Sequence, residues 1–528
     1  MKSFSNHLNS TKEFGEKINI LKKPVFRSSA VFPIVQNSSY SSRVLFLGYW
    51  LLKRNIKDVG LLITLRSSDG NLLLRDFRKI DDARSYVIEL NELLKKINFT
   101  EEIFLGSLEI EIFSSEDMVF PYPALVLDYY NYDFNTCVHT LGRIYNDFED
   151  LLENQQFFVP ETGFDIYADK NLHAFLSFVN GPLKNESPKI IFEVYNYKSE
   201  KLTGTFNLKT INSFQTIFIK LEDYIPKLSN FLEGKSGSIS IKHNFEGFFP
   251  RFLVGNIQDS TESLVFTHSY YDSKTLNSSE HYVKQESLLH YDCTVPIPIF
   301  SDNNLFTELV LYPNFSPCKF KLNLQIFNSS GNLILEKSNF LEIDSEQFEL
   351  TKINFNDILT KFNLLKKNPS TAYLICEFNK KEIPSRIKFG LNVGRKFTNF
   401  KLPCNICFNA NIANPNTDHK PGSFKWFPIF NIGKTVVILE NFYPLKNYDK
   451  NANIILSFFR QSDNQSIKRI LNIRPNGEFR LIVSDDEELK KFFNNELGWI
   501  TAKSDTPYLQ GYYFVFHDSG SVAGDHLF

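Results

Sequence analysis

The sequence predicts an all-β chain of four tandem β-sandwich domains, jelly-roll or Ig-like, with short helical turns. Short runs that alternate apolar and polar residues recur along all 528 residues, while helical periodicity is nearly absent. Four local features also return in the same order, at a spacing of roughly 130 residues that suits one sandwich apiece. The composition agrees: aromatics make up 15% of the chain, and Phe alone occurs 53 times against 2 Met. Phe, Tyr, Ile and Val favour the pleated, half-buried surface of a strand.

The first recurring feature is an entry strand carrying a proline. Phe32-Pro33-Ile34 precedes the apolar run 44–50, Ile297-Pro298-Ile299 precedes 309–311, and Phe427-Pro428-Ile429 precedes 436–439. In the second unit Phe164-Asp165-Ile166 takes that place. Next comes an alternating strand that runs into a polar turn. Residues 61–65 lead to Ser67-Ser68-Asp69-Gly70, 190–195 to Tyr197-Lys198-Ser199, 322–327 to Asn328-Ser329-Ser330-Gly331, and 454–459 to Gln461-Ser462-Asp463-Asn464. Such turn residues suit the positive φ angles of hairpin loops.

The third feature is a strand ending in an acidic turn, at Asn91-Glu92, Glu222-Asp223, Asn356-Asp357 and Ser484-Asp485-Asp486. Side chains of this kind accept hydrogen bonds from the orphan N–H groups of a helix start, so each unit is expected to hold a helical turn or two here. The fourth is a late strand before a proline crossing, with 106–110 before Pro121, 237–241 before Pro250, 372–376 before Pro384 and 498–500 before Pro507. These features place a polar segment at 1–26 and sandwich units at 27–158, 159–292, 293–420 and 421–528. One longer helix is expected, over 144–154.

Charge is nearly balanced, with 58 basic and 60 acidic residues and a formal net charge of −2. A protein that tracks phosphate backbones shows a basic surplus or stripe, so no nucleic acid is expected as a main partner. No run approaches the roughly 18 apolar residues of a membrane helix, and no membrane insertion is expected. The first 23 residues are polar, without the apolar core of a secretory leader, and the six cysteines are scattered rather than dense. Together these point to the cytoplasm.

The last unit carries the shared order most fully, through Asn431-Ile432-Gly433, the strand at 454–459, Asn476-Gly477, Asp485-Asp486 and the stretch from Gly498 to Pro507. In that order it resembles the small β-sandwich family named after the sensory rhodopsin transducer. The chain departs from that family in having four units instead of one. The resemblance implies a sandwich that binds a ligand or partner, and it carries over no catalytic residue.

Chemistry-bearing residues are few. Near the chain end, Gly520 and Gly524 flank a small apolar stretch before Asp525-His526. Asp525 orienting His526 would make a base or metal ligand; a tail folded on the last sandwich is the plainer reading. His268, Asp272, His281 and His290 fall close together without a regular metal-ligand spacing. His139-Thr140 and Thr267-His268 follow the late strands in a related way. Cys404 and Cys407 form a lone C-x-x-C that lacks a second pair. Phe249, Arg251 and Tyr271 concentrate aromatic faces beside a cation, a combination that suits a sugar face as well as a core. Arg251, Phe249, His268, Tyr271, Asp525 and His526 are therefore the candidate ligand-binding residues, with no catalytic residue, metal or cofactor assigned.

No phosphate-binding glycine loop, nucleophile elbow or zinc-protease helix is present. The function that fits is a non-catalytic binding or scaffold protein that recognises a glycan, a glycoconjugate or a protein partner. The competing expectation is a carbohydrate-active or metal-dependent enzyme, with its site between units or near Asp525-His526.

Overall fold

A computed structural model describes residues 24–120, 122–139, 141–144, 161–271, 282–284, 293–302, 304–315, 319–344, 346–347, 349–378, 382–384, 387–409, 420–443, 445 and 447–528. The chain is all-β, with antiparallel strand pairs and short helices. Among the described residues the longest helices, Leu90–Lys96, Phe355–Lys361 and Glu487–Phe493, have 7 residues each. No helix there is long and apolar enough to cross a membrane.

Residues 27–139 form two sheets. Arg27–Gln36, Phe104–Phe113, Gly60–Ser67 and Leu72–Lys79 lie side by side in one, and Ser85–Glu89, Ser41–Leu47, Val126–Tyr130 and Asn135–His139 in the other. Counted along the chain, the eight strands are ordered 1-6-3-4 and 5-2-7-8. The same two orders return in the sheets that begin with Glu161–Ile166, Ile297–Pro298 and Ser423–Ile429, with Tyr270–Tyr271 added beside the first of these strands. Every first strand otherwise lies at a sheet edge, which is why Pro33, Pro298 and Pro428 are tolerated there: a ring without an N–H interrupts no ladder on its open side.

Helical turns follow each fifth strand, at Leu90–Lys96, Leu221–Asp223, Phe355–Lys361 and Val483–Asp485. Asn354 and Asp486 cap the later helices through their side chains, whereas Glu89 and Lys220 begin the earlier turns with no side-chain cap. Asn91 and Asp223 lie inside their turns, beyond the capping position, because the strand leads directly into the helix.

The expected 144–154 helix falls outside the described residues except at Ile144, which closes the strand Arg143–Ile144. The chain end is a strand rather than a tail: Val522–His526 pairs with Leu509–Phe516 as the eighth strand of its group.

The cores run together across the groups. One apolar cluster joins the first and last groups and takes in Phe175, Leu253, Leu264 and Phe266 of the second. Another joins the third group to Val436, Ile438, Phe514 and Phe516 of the last. At the centre the eighth strands Asn135–His139, Ser263–His268, Cys404–Asn409 and Val522–His526 pack in cyclic order, each against two others. The N–H of Phe266 donates to Thr136 Oγ1 at 3.1 Å, Cys404 Sγ lies 3.6 Å from the Gly524 carbonyl, and the N–H of His139 donates to Asp525 Oδ2 at 2.8 Å.

Candidate metal centre at the junction of the eighth strands

Three of the four central strands end on histidine, at His139, His268 and His526, and the fourth ends on Asn409. Because the strands meet side by side, their terminal side chains gather. The His139 ring centroid is 4.6 Å from that of His268 and 4.5 Å from that of His526. His268 is buried at 1% exposure, and Asp525, one residue before His526, at 3%.

Each imidazole has its Nδ1 engaged by an oxygen that can only accept. His139 Nδ1 donates to the Asp525 carboxylate at 2.9 Å, His268 Nδ1 to the Ser269 carbonyl at 2.8 Å, and His526 Nδ1 to the Leu527 carbonyl at 2.9 Å. An acceptor-only partner places a proton on Nδ1, so in the neutral ring the lone pair lies on Nε2. No protein hydrogen bond engages any of these three Nε2 atoms among the described residues. Metal-binding histidines are fixed in the same way, by a carboxylate or carbonyl on the far ring nitrogen. One ligand atom from each of His139, Asp525 and His526 lies within 4.8 Å of the others. Ligand atoms of a tetrahedral zinc site stand about 3.4 Å apart, from bonds of about 2.1 Å, so side-chain rotation of about an ångström would close the set.

Electrostatics keep the ring of His139 neutral. Burial lowers it to about 4 against the pull of Asp525, and burial holds His268 well below the usual histidine range. Burial pushes the Asp525 carboxyl up, but His139, His526 and the N–H groups of His139 outweigh it and hold it below its ordinary value. Neutral imidazoles beside an ionised carboxylate are the protonation states a divalent metal requires.

Arg251 is the opposing charge. It is 5% exposed, its positive charge acts on His139 and His268, and its guanidinium lies 5.1 Å from the Tyr270 ring. Its Nη1 is buried without a hydrogen-bond partner. Lys388 is also buried, and its ammonium donates to the Tyr270 carbonyl.

Arg251, His268, Asp525 and His526 thus come together, though not in the roles their order along the chain suggests. Asp525 orients His139, while its Oδ1 accepts the N–H of His526 at 2.8 Å and stands 4.0 Å from His526 Nε2. Phe249 is buried at 3% exposure, in a short strand paired with Arg143 and Ile144. Phe248 and Phe252 are buried too, so these aromatics offer no open stacking face. Tyr271 pairs with Glu161 through the backbone; its side chain, like Asp272, His281 and His290, lies outside the described residues. Cys404 and Cys407 share a strand, where residues three apart point to opposite faces, so their thiols diverge.

The residue least visible beforehand is His139, the centre of the cluster. Its signal was positional: a histidine closing the same strand of the repeat as His268 and His526.

No protein-family model matches this chain, and no curated protein matches it.

Proposed function

We propose that this chain is a non-catalytic binding and scaffold protein whose four sandwich units close around a junction holding one divalent transition-metal ion of the zinc class. The observation that carries this reading is the set of three imidazoles with Nδ1 protons fixed and Nε2 lone pairs free, beside the buried Asp525. His139 and His526 offer their Nε2 atoms as ligands, His268 stands next to them, and Asp525 holds the Nδ1 proton of His139 from behind and supplies the compensating negative charge. A metal there ties the last strand of the chain to the first unit, so ligand binding and closure of the assembly are one event. Arg251 makes a second bare cation unwelcome, and the ion therefore binds with an anionic co-ligand.

A binding role fits this geometry better than acid–base catalysis. Among the described residues no hydroxyl or thiol hydrogen-bonds the three imidazoles, and a ring held near 4 is a weak base at neutral pH. The unit-level likeness to the transducer-like sandwich family accords with the same role.

Metal analysis and cobalt titration of the purified chain test the reading. The expected result is about one ion per chain and a visible-region cobalt spectrum of tetrahedral strength, both lost in His139→Gln and His526→Gln. A chain that takes up no cobalt at stoichiometric concentration, or variants that bind it unchanged, would rule the site out.

A further inference from the structure

Away from the junction, the seam between the second and third groups is polar where the strand plan does not require it. Glu308, Asn392 and Asn405 stand opposite one another in a row across three strands of the third group. The matching row of the last group holds Val436, Phe514 and Gly524. Asp165 meets the polar row from the second group, at the first-strand position that carries proline in the other three. Lys352, on the fifth strand of the third group, pairs with Asp165 Oδ2 at 2.6 Å and with Glu308 at 3.3 Å. The Asn392 amide donates to the same two carboxylates, at 2.9 and 3.0 Å. Among the described residues no second cation pairs with Asp165 or Glu308, so two carboxylates share one ammonium. Burial works against the charge of Lys352, but Asp165, Tyr167 and Glu308 outweigh it and hold the ammonium above the usual lysine range.

A recess opens beside this cluster, lined by Asp165, Asn256, Asn392 and Asn405, with Leu402 and Pro403 as apolar walls. It is partly open to solvent and has room for a group of about the size of a water molecule. Asp165 is 2% exposed, and its Oδ1 is buried without a hydrogen-bond partner. Its Oδ2 turns to Lys352, which does not line the recess, so Oδ1 is the oxygen on the recess side. The amide oxygens around the recess are already engaged. Asn392 Oδ1 accepts from Asn405, Asn405 Oδ1 from the Tyr312 hydroxyl, and Asn256 Oδ1 from the N–H of Tyr167. A metal ion would need several free oxygens, whereas a hydrogen-bond donor needs only one.

We infer that this recess binds an ammonium group, as the free ion or as the head of a primary amine whose chain leads out to solvent. One N–H donates to Asp165 Oδ1, and the positive charge balances the second carboxylate of the cluster. The site uses none of the residues of the metal junction and stands without it.

Thermal unfolding and calorimetry of the full chain with ammonium, butylammonium, tetramethylammonium and sodium chlorides, at neutral pH and constant ionic strength, test the inference. Ammonium or butylammonium should raise the unfolding temperature saturably. Sodium and tetramethylammonium, which have no N–H to donate, should not. Asp165→Asn removes the acceptor and should abolish the shift. Glu308→Gln keeps an acceptor for Asn392 but removes the unbalanced charge, and should weaken binding about tenfold; it carries the test if Asp165→Asn does not fold. Butylammonium binding assigns the site to a primary amine, and binding of ammonium alone assigns it to the free ion. The site is overturned, and water fills the recess, if neither cation gives a saturable shift or if sodium or tetramethylammonium gives the same one. Undiminished affinity in either folded variant overturns it as well.

Discussion

Asp525 Oδ2 accepts both the backbone N–H and the Nδ1–H of His139, at 2.8 and 2.9 Å, across 386 residues of chain. One buried carboxylate thereby joins the final strand to the first sandwich, with its other oxygen taking the N–H of His526. Hydrogen bonds to a charged group contribute about 1.5–3 kcal/mol each, and donors stripped of their acceptor stay desolvated. Asp525→Ala should therefore lower the free energy of unfolding by about 3 kcal/mol in metal-free protein, read from urea midpoints. A loss below about 0.5 kcal/mol, the level of an ordinary surface change, would mean the bond does not hold the assembly closed.

Arg251 sets the polarity of the junction. A guanidinium close enough to act on His139 and His268 also repels an ion bound among them, and low-dielectric surroundings strengthen that repulsion. Arg251→Gln should tighten cobalt binding about tenfold in chloride-poor buffer, roughly 1.4 kcal/mol. It should also abolish any gain in cobalt affinity from added acetate or phosphate. Unchanged cobalt affinity, or an undiminished anion effect, would show that Arg251 does not face the bound ion.

The strand plan was legible because a sandwich leaves local traces. Pro33, Pro298 and Pro428 mark edge strands, and Gly70 and Gly331 mark the turn after the third strand. The site was legible only as fragments. His268, Asp525, His526 and Arg251 stood out singly as unusual residues, but what each one faces depends on how four groups of strands close on one another. Strand periodicity says nothing about that closure, so Asp525 read as the partner of its neighbour His526 rather than of His139. The C-x-x-C pair, set aside for want of a second pair, is separated by the same alternation: spacing suited to a loop loses its meaning on a strand, where the thiols point apart.

Gly70 and Gly331 perform the same task in two places. Their φ angles are +88° and +80°, and a Cβ on either would meet a neighbouring backbone carbonyl, of Ser213 or Pro475, at 2.1 Å. Beside them the Ser68 and Ser329 carbonyls accept the N–H of Thr216 and Glu478, the first residues of fifth strands in the following group. The first and second groups thus meet as the third and fourth do. A left-handed backbone disfavours alanine by about 1–2 kcal/mol, and the clash adds to it. Gly70→Ala and Gly331→Ala should each destabilise the chain by at least about 2 kcal/mol in urea unfolding. A neutral effect at either position would mean that the two sandwiches separate there without loss.

Glu440 and Glu478 face each other on paired strands, and Arg480 pairs with Glu478. Glu440 is fully buried, accepts from Thr371 Oγ1 at 3.0 Å through Oε1, and has no partner for Oε2. Arg480 pairs with Glu478 at 2.9 Å. Burial first, and then the charge of Glu478, hold Glu440 well above the ordinary carboxyl value of 4.5. The folded chain therefore keeps a proton here that the unfolded chain releases, and the unfolded state binds fewer protons above about pH 4.5. With that sign, the contribution of Glu440 to stability is complete below the unfolded value and is lost as pH rises through the folded one. Glu440→Gln copies the protonated form and can donate to Glu478. Urea midpoints should be equal for wild type and Glu440→Gln near pH 4.5, with the variant increasingly more stable as pH rises to 9. Parallel pH profiles for the two proteins would show that Glu440 is ionised in the fold, with its charge met by Arg480 as well.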